Sequence, residues 1–104
     1  MDKREVLSKA AEFSKRAESY FSFNKAVLFG SYIDGSPRED SDLDIAFFVD
    51  KISEETDYLT LLISLQKLAR EIDSRIEPHI ITIEDESGFG NYIFQNGKEI
   101  IYAN

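Results

Sequence analysis

The chain has 104 residues, no cysteine and a net charge of −8, with 20 acidic side chains against 12 basic ones. That length forms one domain (residues 1–104) around a single core, without room for a second lobe, and the lack of cysteine excludes disulfides and thiolate metal sites, which fits a reducing, cytoplasmic compartment. So acidic a surface repels a phosphate backbone and argues against generic DNA or RNA binding, whereas a small nucleotide can still enter if metal ions screen its phosphates.

The start, Asp2-Lys3-Arg4-Glu5, is too charged for a signal peptide. Residues 3–21 then carry Val6, Leu7, Ala10, Ala11, Ala17, Tyr20 and Phe21 at helical spacing, which predicts an amphipathic packing helix. Ser22-Phe23-Asn24 breaks it, and Lys25–Phe29 reads as the first strand. The Gly30–Gly35 segment is expected to begin as a short helical turn. Ser36-Pro37 marks a turn before the second strand, from about Asp42 to Val49. A loop over Asp50–Ser53 leads to a helix over 55–73, capped by Ser53 or Thr56, with Leu59, Leu62, Ile63, Leu65, Leu68, Ala69 and Ile72 as an apolar stripe.

A third strand follows from Arg75 to Ile83. Its Pro78 lacks a backbone donor and predicts an edge position or a local distortion. A short helix over Asp85–Gln95, an Asn96-Gly97 turn and a closing strand from Lys98 to Tyr102 complete the chain. Strands alternating with helices predict a small mixed sheet with helices packed on it, an α+β architecture. No apolar run approaches the ~20 residues of a membrane span.

The stretch that carries chemistry lies between the first two strands: Gly30-Ser31, three residues, Gly35, five residues, then Ser41-Asp42-Leu43-Asp44. Asp42 and Asp44 stand i, i+2, so in a strand they share one face with Cα atoms about 6.6 Å apart. Two carboxylates on one face repel each other and are costly to bury unpaired, and a hard divalent cation such as Mg2+ is the usual reason to keep them there. Gly30 lets backbone approach a bound group, and Ser31 adds a hydroxyl and an N–H for phosphate oxygens. An EF-hand reading of Asp40, Asp42 and Asp44 fails on spacing, because the sixth place is Ile45 rather than Gly and the twelfth is Lys51 rather than Glu.

This spacing resembles the signature of the DNA polymerase β-like nucleotidyltransferases, and within them the minimal nucleotidyltransferases. Members of that branch often carry Arg where this chain has Asp34; Arg38 is the nearest substitute. The resemblance implies the polymerase β-like fold, with Gly30, Ser31 and Ser41 at the nucleotide and Asp42 and Asp44 bridging two metal ions, Mg2+ or Mn2+. A third carboxylate is needed from a neighbouring strand, and Glu77 is the one acid inside such a run; it would complete the metal ligands and accept the proton of an attacking hydroxyl. His79, the only histidine, shares a strand face with Glu77 and reads as packed or exposed, or else as a ligand or triphosphate contact.

The implied activity is transfer of NMP, AMP foremost, from ATP or another nucleoside triphosphate to a hydroxyl. Minimal proteins of this family are often paired with a small all-helical HEPN protein, and some act as antitoxins by adenylylating its tyrosine, so the resemblance also implies such a partner. The competing reading is a binding module with a degenerate site that neutralises a partner by masking it. An aminoglycoside-modifying enzyme is disfavoured, because those enzymes carry an additional domain.

Overall fold

A computed structural model describes residues 3–30, 42–51, 57–82 and 88–102. Helix α1 spans Lys3–Ala17 and buries Val6, Ala10, Phe13, Ser14 and Ala17, one stripe at helical spacing. It stops four residues short of the expected end. Tyr20 N–H donates to the Ala17 carbonyl at 2.9 Å, a tightened last turn. Phe21 is thereby turned onto the core, where its ring meets Phe47 edge-on at 5.4 Å.

Strands β1 (Lys25–Phe29) and β2 (Leu43–Val49) pair antiparallel, with Val27 opposite Ala46 and Phe29 opposite Asp44. Helix α2, Tyr58–Ile72, is capped by Asp57, whose carboxylate accepts from the Thr60 N–H at 3.2 Å and its hydroxyl at 2.7 Å. The caps expected at Ser53 and Thr56 lie outside the described residues. Of the predicted stripe on α2, Leu65, Leu68 and Ala69 are buried, while Leu59 and Ile63 face outward.

After α2 the chain enters β3 (Ile76–Thr82), which runs parallel to β2. Helix α3 (Phe89–Asn96) and the two-residue strand β4 (Lys98–Glu99) follow, and β4 pairs antiparallel with β1. Among the described residues the sheet has the order β3-β2-β1-β4. Pro78 therefore sits on an edge strand, as its missing donor predicts. The closing strand is shorter than the expected Lys98–Tyr102, although Ile100 N–H still reaches the Ala26 carbonyl at 2.8 Å. Gly97 makes the close approach possible: a Cβ there would run into the Val27 side chain and the Leu28 carbonyl.

The sheet is covered on both faces. Ala26, Leu28, Leu43, Ile45 and Phe47 pack with α1 and α2, and Val27, Phe29, Ala46 and Phe48 pack with Ile93 of α3. Strands buried on both faces read as continuous apolar runs rather than alternating ones. β2 obeys this at every position but one: Asp44. None of the described helices is long and apolar enough to cross a membrane.

Candidate active site

Asp44 is the polar interruption of an otherwise buried strand, and its surroundings show how the fold accommodates a carboxylate there. Strand register places Phe29, Asp44 and Glu77 in one row across β1, β2 and β3. Asp42 lies two residues earlier, exposed at the mouth of β2, where the Leu43 N–H donates to the Arg75 carbonyl at 2.8 Å and ties the starts of β2 and β3 together. Asp42, Asp44 and Glu77 thus fall at one end of one sheet face by register.

The carboxylate of Asp44 is approached from two sides. His79 Nε2 lies 3.1 Å from its Oδ1, with side-chain exposures of 31% and 24% for the histidine and the aspartate. The other oxygen, Oδ2, occupies the space that a Cβ on Gly30 would need. Gly30 also has φ +90°, in the left-handed region that disfavours any side chain. Its glycine is therefore required twice, once by backbone conformation and once by the aspartate that fills the vacant space.

An aromatic chain backs the histidine. The Phe29 ring is 5.1 Å from the imidazole, and Phe89, at the start of α3, meets Phe29 edge-on at 5.9 Å. Glu77 is exposed beside Asp44 in the next strand. Ser31 and Ser41, expected at the nucleotide, lie outside the described residues, as do Asp34, Arg38 and the anticipated helical turn after Gly30.

The donor set of Asp42, Asp44 and Glu77 is all oxygen, which fits a hard cation such as Mg2+ or Mn2+. Among the described residues no group of three acidic, histidine or cysteine side chains is gathered into a metal cluster. The fit rests on donor chemistry, on register, and on the cradle that Gly30 leaves for Asp44. The contact that sequence reasoning missed is His79 to Asp44. His79 is the register partner of Ala46, two residues further along β2, so its ring reaches Asp44 diagonally past a methyl group. Only the parallel pairing of β2 and β3 reveals this, and that pairing is made by the crossover through α2.

Comparison with known proteins bears on the family and the fold. A family model described as "Polymerase beta, Nucleotidyltransferase" matches residues 12–104. Among curated proteins no relative matches the chain. A crystal structure of a presumed nucleotidyltransferase from Sulfolobus solfataricus is similar over 90% of this chain and 78% of its own, with TM-score 0.61 and 20% identity. A toxin–antitoxin crystal structure with AMP-PNP is similar over 90% and 74%, with TM-score 0.61 and 22% identity. A mutant of the toxin–antitoxin MntA-HpeT, with two Asp-to-Glu substitutions spaced i, i+2, is similar over 94% and 74%, with TM-score 0.59 and 19% identity.

Proposed function

The chain belongs to the polymerase beta nucleotidyltransferase family, and from that premise we propose that it moves an NMP, AMP foremost, from a nucleoside triphosphate to a hydroxyl on a partner protein. The observation that carries the reading is the placement of Asp44. A carboxylate on a strand otherwise buried on both faces, with Glu77 beside it in register and Asp42 two residues before it, is a costly arrangement for stability alone. A site that holds charge at that end of the sheet explains it.

In this reading Asp42, Asp44 and Glu77 would hold a pair of Mg2+ ions, Mn2+ being an alternative. Bound divalent ions supply charge neutralisation at the attacking and leaving oxygens. The chain's own residues do the rest. Gly30 brings the backbone close to the phosphates, and Ser31 and Ser41 bind their oxygens. Glu77 takes the proton of the acceptor hydroxyl, directly or through a water. The bond formed joins the acceptor oxygen to the α-phosphorus, the bond broken releases pyrophosphate, and the proton ends on Glu77.

The acceptor we infer is a tyrosine of a small helical HEPN-type protein, which would make the chain an antitoxin-like subunit in the cytoplasm. Support comes from the toxin–antitoxin neighbours: one holds AMP-PNP, and another is mutated at an Asp pair with the spacing of Asp42 and Asp44. The test is incubation of the protein with α-labelled ATP, Mg2+ and the co-expressed helical product of the adjacent reading frame. Label should appear on the partner and vanish with Asp42→Asn. A partner that is bound yet never labelled, by a protein that binds ATP, would instead favour neutralisation by masking.

A further inference from the structure

We propose that His79 is a positioning residue for Asp44: its Nε2–H holds the carboxylate in one orientation at the candidate site. The inference rests on the nucleotidyltransferase reading of that site and assigns His79 neither to the metal nor to the triphosphate.

A carboxylate offers only acceptors, so in the 3.1 Å contact with Asp44 Oδ1 the hydrogen sits on Nε2 of His79. The donor is thereby committed to Asp44 and is not available to a phosphate oxygen. The imidazole itself is held by packing. Phe29, nine-tenths buried, stands 5.1 Å away and tilted by 59°, and Phe89 closes the other side of Phe29 at 5.9 Å. Ala46, fully buried beside His79 in register, is small enough to let the ring lean across to Asp44.

The opposite side of the carboxylate completes the device. Oδ2 sits where a Cβ of Gly30 would be, so the carboxylate is confined between the glycine backbone and the imidazole. A metal-binding carboxylate with both torsions fixed in advance loses less entropy on binding, and hydrogen bonds behind such ligands commonly change metal affinity or activity by about 10- to 100-fold. Lone pairs remain on both oxygens of Asp44 after the His79 bond is made.

Two variants separate the hydrogen bond from the packing. His79→Phe keeps a ring against Phe29 and removes the donor, whereas His79→Gln returns an N–H at a similar reach. Three quantities are measured: Mn2+·ATP affinity by calorimetry, kcat and KM for label transfer, and thermal stability. His79→Phe should fold and lose about 10- to 100-fold in Mn2+·ATP affinity and in kcat. His79→Gln should recover most of that loss. Unchanged affinity in His79→Phe, or equal losses in both folded variants, would overturn the proposal.

A further readout stands apart from nucleotide binding. Nitrogen NMR of the neutral imidazole in the metal-free protein should show the hydrogen on Nε2 in the wild type, and that preference should weaken in Asp44→Asn. A hydrogen on Nδ1 in the wild type would refute the contact. A wild type that binds no Mn2+·ATP yet keeps the Nε2–H tautomer would contradict the function proposed above and leave the His79–Asp44 contact standing.

Discussion

At the scale of single residues, Gly30 and Asp44 act as one unit. The glycine has a backbone conformation that L side chains rarely adopt, and the aspartate carboxylate fills the space its missing Cβ leaves. Gly30→Ala should therefore cost about 1–3 kcal/mol of stability from backbone strain alone. It should also displace the Asp44 carboxylate, so folded Gly30→Ala protein should lose most of its Mg2+·ATP affinity, as calorimetry on the folded fraction would show. Affinity equal to wild type would mean that the carboxylate relaxes without consequence. Glu77 is a different case, because it is exposed and lies beside Asp44 rather than against it. Glu77→Gln should leave ATP binding nearly intact while transfer falls by about 100-fold or more, since the acceptor hydroxyl loses its proton acceptor. Full transfer by Glu77→Gln would remove Glu77 from the chemistry.

Among the elements, the junction of α1, α2 and β3 turns on Asp73, the C-cap of α2. Its carboxylate accepts from Arg75 Nε at 2.9 Å and Nη2 at 2.6 Å, from the Arg75 backbone N–H at 2.9 Å, and from Lys9 Nζ at 2.8 Å. Burial pushes its pKa up, but the Arg75 guanidinium and the Lys9 ammonium outweigh burial and hold it down at about 2, from an ordinary 3.8. A folded value below the unfolded one stabilises the protein above the unfolded pKa, and the benefit fades as pH falls from about 4 towards 2. Asp73→Asn should cost about 2 kcal/mol at pH 7, and its deficit should shrink across that window in urea titrations. A deficit independent of pH would show that the carboxylate's charge is not what matters. These elements were legible in unequal measure. Lys25–Phe29 stood out because an apolar run bounded by polar breaks has few other readings. The missing donor of Pro78 left an edge strand and a local distortion both open, and only the strand order decides for the edge among the described residues. The end of α1 was hidden because Phe21 continues the helical spacing yet is claimed by Phe47. The start of α2 was hidden because Asp57, rather than a serine or threonine before it, captures both donors of Thr60. Asp42 and Asp44 could be placed from strand period alone, whereas the His79 contact depends on a parallel register that no local pattern encodes.

Over the whole molecule, charge and fold impose one shared requirement on the site. A net charge of −8 opposes the approach of a triphosphate, and Asp42, Asp44 and Glu77 add negative potential at the end of the sheet where it would bind. Phosphates and carboxylates can share that space only with cations between them. Of the three, Asp44 is the one held in place, between the Gly30 backbone and the His79 imidazole, so it cannot simply turn away into solvent. Nucleotide binding should consequently be obligately metal-dependent and should require Asp44. The most direct measurement is titration calorimetry of ATP into the wild type and into Asp44→Asn, each with Mg2+ and with the ion chelated. ATP should bind the wild type at least tenfold more tightly with Mg2+, and Asp44→Asn should lose that difference. Equal ATP affinity with and without Mg2+ in the wild type, or a metal response preserved in Asp44→Asn, would contradict a metal-held nucleotide at this site.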